Sequence, residues 1–165
     1  VLAVPDLGVL PKKLLEEILE RNHVVLNEKT VILESYKRSA TCLETILKHS
    51  VVEDEVSVLS EAEYEKYPLV LPLAECFLEK DIRLTYEEYH ACIGAAENYA
   101  KANENYQFNL TKIKGFHNIQ ITCFEGKWCM ISKNRAPAIH FVIHHPKLRY
   151  ALENMVLPIR DDEIE

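Results

Sequence analysis

The stretch NIQITCFEGKWCMIS, Asn118–Ser132, decides the fold class, because the hydrophobic period of the chain changes there. Apolar and polar residues alternate over Asn118–Phe124 and again over Lys127–Ser132, with an acidic residue and a glycine between the two runs. This pattern predicts a β-hairpin with a two-residue turn. A further alternating run, Ala138–His144, predicts a third antiparallel strand.

A two-residue turn determines which residues of the hairpin share a face of the sheet. It places Cys123 opposite Trp128, and Thr122 opposite Cys129, so the two cysteines point to opposite sides. We therefore expect them to share neither a disulfide nor a metal ion. The apolar face that we expect to pack on a helix over Thr85–Asn103 consists of Ile119, Ile121, Trp128, Met130, Phe141 and Ile143.

The chain before the hairpin has helical periodicity and helix start signals. Asn27 is expected to cap a long helix, and Ser60 with Glu63 and Thr85 with Glu88 are capping-box patterns. A loop at 53–55 followed by a short strand, Val56–Leu59, is expected before Ser60. The predicted helices are Lys12–Arg21 after Pro11, 28–49, one that ends before Pro68, 72–80, 85–103, and 147–155 after Pro146.

The order of these elements predicts an α+β fold. We expect an N-terminal layer of four to five helices, a small three-stranded antiparallel sheet made of the hairpin and one strand, and a C-terminal helix. The 165 residues are expected to form one domain. Its parts are an extended lead-in over 1–10, a mainly helical part over 11–105, and a mainly β part with a final helix over 106–160.

Charge and cysteine content narrow the class of partner and the compartment. The chain has 19 basic and 26 acidic residues, a net charge of −7 and a pI near 5.5. This disfavours nucleic acid as the main partner, because phosphate neutralisation supplies most of the affinity of nucleic-acid binders. No run approaches about 20 apolar residues, so we expect no membrane partner. Five cysteines without a secretory signal indicate free thiols and an intracellular location, cytoplasm or nucleus.

The motifs of cofactor binding and catalysis are missing from the sequence. With only four glycines there is neither a dinucleotide fingerprint nor a phosphate-binding loop, and no GxSxG elbow exists. We predict no cofactor and no catalytic residue. Six cysteines and histidines lie close together in the chain, but the hairpin register separates the cysteines, so we predict no metal site. These six residues are His117, Cys123, Cys129, His140, His144 and His145.

We interpret the chain as a non-enzymatic protein–protein interaction module, a subunit or domain of a larger intracellular and possibly nuclear assembly. An extended apolar segment can add to the sheet or groove of a partner protein or of a second copy. The residues that we expect to bind this way are Leu2, Val4, Leu7 and Val9. Deletion of residues 1–10 is therefore expected to weaken partner binding or dimerisation.

Two alternatives remain open. A helical bundle followed by a hairpin is similar in outline to a winged helix, which binds nucleic acid. Its basic patch would consist of Lys112, Lys114, Lys127, Lys133 and Arg135. The other alternative is an enzyme that uses His140, His144 or Cys129, although no residue pattern suggests its reaction.

Overall fold

The computed structural model describes residues 7–66, 68–69, 82–111, 119–124, 126–133 and 139–161. These residues form an α+β fold, as predicted. The helices are α1 (Lys12–Arg21), α2 (Leu26–Leu47), α3 (Glu61–Lys66), α4 (Tyr86–Ala102) and α5 (Pro146–Asp161), and a short 3-10 helix spans Leu7–Val9. The strands are β1 (Val52–Ser57), β2 (Tyr106–Thr111), β3 (Ile119–Phe124), β4 (Trp128–Lys133) and β5 (Ile139–Ile143).

The strands form one mixed sheet in the order β2-β1-β3-β4-β5. The predicted three-stranded antiparallel part, β3-β4-β5, is present. Two strands extend it: β1 pairs antiparallel with β3 and parallel with β2. A parallel pair needs a crossover connection, and the segment between β1 and β2 contains α3 and α4.

The strand β1 differs from its prediction. Glu53, Asp54 and Glu55, expected in a loop, lie in the middle of the strand and pair with both β2 and β3. Strand propensity depends on context, and backbone pairing on both sides outweighs the low propensity of these acidic residues. The strand also ends at Ser57 rather than at Leu59.

The helix starts agree with the sequence at two of three predicted caps. Thr85 Oγ1 accepts a hydrogen bond from the Glu88 N–H, and Glu88 Oε2 accepts one from the Thr85 N–H. Ser60 and Glu63 form the same reciprocal pair. The Asn27 cap is wrong: α2 begins at Leu26, after Val25, and its N-cap makes no side-chain hydrogen bond. The helix predicted over 72–80 lies outside the described residues.

The main core lies between the helices and one face of the sheet. Leu43 and Leu47 of α2 and Ala96 of α4 pack with three buried residues of the sheet, namely Val52, Tyr106 and Phe124. A second, continuous cluster joins α1, α3 and α4 through Leu15, Ile18, Leu19, Tyr64, Tyr89, Cys92 and Ile93. Helices α2 and α4 therefore cover the β2-β1-β3 half of the sheet.

The hairpin turn is one residue longer than predicted, and this changes every facing pair. The Lys127 N–H donates to the Phe124 C=O at 3.0 Å, and Gly126 has a φ of +72°. Phe124 pairs with Trp128 across a three-residue loop, and Cys123 pairs with Cys129. The two cysteines therefore share a face, contrary to the prediction.

The expected apolar face is wrong in part for the same reason: Trp128 lies on the side of α4 as predicted, whereas Ile121 does not. Trp128 stacks on Phe124 at 4.0 Å between ring centroids, on the face that α2 and α4 cover. Ile121 instead lies with the two cysteines on the opposite face, packed against Leu152 of α5. Phe141 is largely exposed rather than part of the core.

Gly8 holds the 3-10 helix close to the middle of α2. A Cβ atom at this position would lie 2.7 Å from the Ala40 N and 2.8 Å from the Ser39 carbonyl carbon. The backbone of α2 cannot easily move aside, so only glycine fits without a shift of the 3-10 helix.

Gly8→Ala should lower the free energy of unfolding by roughly 1–3 kcal/mol, because it overpacks this contact. Gly94→Ala is the matched control: an added Cβ in α4 meets nothing within 4 Å, and stability should rise by about 0.5–1 kcal/mol. Urea unfolding followed by circular dichroism measures both. Equal changes in the two variants would contradict the close approach of the 3-10 helix to α2.

Candidate functional site

The strand β5 is the edge of the sheet next to β4, and no described strand pairs with its outer side. Edge strands present unpaired N–H and C=O groups, which can pair with another chain. Phe141 is 62 % exposed, Val142 is 50 % exposed and Ile139 is 42 % exposed. Since neighbouring side chains of a strand point to opposite faces, apolar surface is open on both faces of this edge.

The first turns of α5, which follows β5 in the chain, also carry exposed apolar residues. Leu148 is 57 % exposed and Tyr150 is 68 % exposed. We call the set Ile139, Phe141, Val142, Leu148 and Tyr150 the β5–α5 surface. Single exposed apolar residues are normal, whereas a concentration of them at one edge indicates an interaction site.

The opposite edge of the sheet, β2, is built differently. Its apolar residues Tyr106, Phe108 and Leu110 pack in the core clusters below α2 and α4, whereas Gln107 is exposed. That strand therefore has one apolar and one polar face, the usual pattern of a sheet that packs on one side. The difference between the two edges singles out β5.

Arg149 attaches α5 to the hairpin turn. Its Nη1 donates to the Gly126 C=O at 2.7 Å, and its Nε lies 3.4 Å from Glu153 Oε1. Pro146 occupies the first position of α5, where its fixed φ and missing N–H are tolerated. Two residues separate β5 from this helix, which packs through Leu152 on the face opposite to α2 and α4.

Of the four predicted N-terminal binding residues, only Val9 has a described side chain. Leu2 and Val4 lie outside the described residues, and Leu7 opens the 3-10 helix. Val9 is 6 % exposed and packs with Leu43 and Leu47. Val9 thus lies in the core against α2, and the partner-binding role expected of the N-terminal residues stays a prediction.

Of the predicted basic patch, only the side chain of Lys127 lies in the described part of the chain, where it is exposed at the hairpin turn. Lys112, Lys114 and Arg135 are outside the described residues, and Lys133 is the last residue of β4. Both hairpin strands have neighbours on both sides, since β3 also pairs with β1 and β4 also pairs with β5. The hairpin is thus an interior part of the sheet.

The cysteines and histidines that drew attention in the sequence separate into two groups. Cys123 and Cys129 are buried beneath α5, with their Sγ atoms 3.0 Å apart. His144 and His145 are exposed between β5 and α5, and His140 is the backbone partner of Ser132. Within the described residues, no three Cys, His, Asp or Glu side chains are grouped as metal ligands.

Burial raises the pKa of two described thiols of the core, those of Cys129 and Cys92. It raises the pKa of Cys129, an effect that the hydrogen bond with Cys123 opposes, while Glu153 adds to it. Burial also raises the pKa of Cys92 to about 12, with a smaller contribution from Glu88. A protonated thiol is a poor nucleophile, so neither cysteine is reactive while it is buried in the folded chain.

Sequence reasoning missed the β5–α5 surface, although two signals for it were present. Phe141 and Val142 are adjacent and both large and apolar, so one must face away from any single core. The strand is also followed directly by a helix that begins with proline. The prediction instead assigned Phe141 to a core face that the corrected register removes.

Comparison with protein-family models, with curated proteins and with solved structures finds no match to this chain. Among the helices of the described residues, none is both long enough and apolar enough to cross a bilayer. The functional interpretation therefore depends on the geometry of the chain itself.

Val9→Ala should lower the free energy of unfolding by roughly 1–3 kcal/mol, because it removes buried methyl groups. The affinity of the folded variant for a partner should be unchanged, since the Val9 side chain is buried. Denaturant unfolding measures the first quantity. A stable variant that loses binding would restore the N-terminal segment as the binding element.

Alkaline pH should destabilise the fold through Cys92 and Tyr64. The pKa of each is raised by burial to about 12, from ordinary values of 9.0 and 10.0. The folded chain keeps these protons where the unfolded chain loses them. The contribution of these two groups to the free energy of unfolding is therefore fully present below about pH 9. It decreases as pH rises towards 12, by at most about 1.4 kcal/mol per pH unit for each group.

Unfolding free energies measured from pH 8 to 10.5 test this dependence. Cys92→Ala should make the decline between pH 9 and 10 shallower, because Cys92 titrates there in the unfolded chain to a larger extent than Tyr64. Cys42→Ala, at an exposed cysteine, is the matched control and should keep the decline. An unchanged slope in Cys92→Ala would show that this thiol is not the group responsible.

Proposed function

We propose that this chain is a non-enzymatic protein–protein interaction module, which acts within a larger intracellular assembly and binds an extended segment of another protein along β5. One observation carries the proposal: β5 is an edge strand with exposed apolar side chains on both faces. An added strand gains backbone hydrogen bonds from the open edge, and side chains on both faces of the edge supply specificity.

The composition of the β5–α5 surface supports binding to a protein. Interface cores are enriched in aromatic residues and depleted of charge, and this surface contains Phe141 and Tyr150 with three aliphatic residues. The exposed residues between β5 and α5 are His144 and His145, and the exposed Lys147 follows in the first turn of α5. An apolar segment flanked by acidic residues is the partner chemistry that complements this surface.

The short length of β5 limits the aggregation that an exposed apolar edge strand would otherwise promote. Exposed apolar edges promote aggregation unless they are short, charged or covered. Here β5 has only five residues, which limits pairing with unrelated chains. A short edge strand, together with the exposed apolar residues of α5, favours specific binding of one partner over nonspecific association.

Phe141→Lys should weaken partner binding by at least about tenfold, because truncation of a central aromatic anchor costs about 2 kcal/mol or more. The matched control is Leu26→Lys, at a position of α2 that is 77 % exposed and lies away from β5. Both substitutions add the same charge at exposed apolar sites, so the folding stability of the two variants should be similar.

The experiment captures partners from nuclease-treated cell lysate with the wild type, Phe141→Lys and Leu26→Lys, and quantifies them by mass spectrometry. Sedimentation velocity of the three purified chains tests pairing with a second copy. A protein partner retained by Leu26→Lys and lost by Phe141→Lys supports the proposal. Partners that respond equally to both substitutions, or that disappear with nuclease treatment, contradict it.

A further inference from the structure

Cys123 and Cys129 have the geometry from which a disulfide can form. They are direct register partners on β3 and β4, and their Sγ atoms lie 3.0 Å apart. A disulfide has sulfur atoms about 2.05 Å apart and Cα atoms usually about 4.4–6.8 Å apart. Directly opposite residues of antiparallel strands have Cα atoms about 4.5–5.5 Å apart, inside that range. Small side-chain rotations therefore suffice, without movement of either strand.

The surroundings of the two sulfur atoms favour a disulfide between them over metal binding or pairing with another described cysteine. Ile121 and Leu152 are the apolar neighbours of the pair, and the Arg149 C=O lies 3.9 Å from Cys129 Sγ. No described group completes a set of three metal ligands here. The other described cysteines, Cys42 and Cys92, belong to α2 and α4, which cover the opposite face of the sheet.

We propose that Cys123 and Cys129 form a dithiol site that is oxidised reversibly to an intramolecular disulfide, with hydrogen peroxide as the oxidant. One thiol loses its proton, the thiolate attacks a peroxide oxygen and the O–O bond breaks. A sulfenic acid and hydroxide result, and the hydroxide takes up the released proton as water. The second sulfur then attacks the sulfenic sulfur, the S–S bond forms and the hydroxyl group leaves as water. In sum, two thiols and one peroxide give one disulfide and two waters.

The pair is protected as well as prearranged. Cys129 is completely buried and Cys123 is 3 % exposed, and Arg149 ties the start of α5 to the turn between the two strands. Oxidation therefore proceeds when α5 separates transiently from the sheet. Once one sulfur is oxidised, its partner is already in contact, so closure is faster than any second oxidation of the same sulfur.

Peptide mapping of the oxidised full chain tests this site. The folded protein is treated with hydrogen peroxide, its remaining thiols are alkylated, and trypsin digests it without reductant. Trypsin cleaves after Lys114, Lys127 and Lys133, so Cys123 and Cys129 fall on separate peptides, 115–127 and 128–133. The expected product is this pair of peptides joined by a bond that dithiothreitol breaks, with equal loss of both free thiols.

Variants and the other cysteines provide the controls. Cys42→Ser should keep the joined peptides, because Cys42 is exposed on α2, whereas Cys129→Ser should abolish them and leave Cys123 free or singly oxidised. The proposal is overturned if the wild type, under conditions that oxidise Cys42, yields free thiols or separate sulfinic acids at 123 and 129. It is equally overturned if either residue links mainly to another cysteine.

Discussion

The packing of α4 against β1 and β2 is the interaction on which the rest of the structure depends. Tyr89 is completely buried in it, and its hydroxyl accepts a hydrogen bond from the Leu59 N–H at 3.1 Å and donates to the Ser57 C=O. This contact fixes the end of β1 against the helix that leads to β2, so that the two strands run parallel. The chain must then return past β1 to place β3 on its other side.

The helices cover the β2-β1-β3 half of the sheet more fully than β5, because α4 packs against β1 and β2. Helices α2 and α4 use their apolar residues on β2, β1 and β3, while α5 contributes Leu152 to the cysteine pair on the other face. Arg149 attaches the start of α5 to the hairpin turn, and Leu152 packs further along the same face. The apolar residues of β5 are thereby left exposed, and the buried thiols and the open edge are two results of one helix position.

Local signals in the sequence predicted most helices and the antiparallel strands, because they depend on residues close in the chain. Helix α1 has the predicted bounds, and the Thr85–Glu88 capping box starts α4 as expected. The failures depend on distant contacts. Pairing with β2 and β3 makes Glu53 part of a strand, and one additional loop residue before Trp128 places Cys123 on the face opposite to α4. Side chains of a strand alternate between the two faces, so an error of one residue in the register places every side chain on the wrong face.

The most direct test of the open edge at β5 is residue-specific amide hydrogen exchange in the free monomer. NMR follows the exchange, and β5 is compared with β3 and β4. An open edge predicts alternation along Ile139–Ile143: amides that donate to β4 are protected, and those that point outward exchange rapidly. Amides of β3 and β4, strands with neighbours on both sides, should be protected throughout. Uniform protection along β5 would mean that the chain covers its own edge, and would contradict binding of a partner strand there.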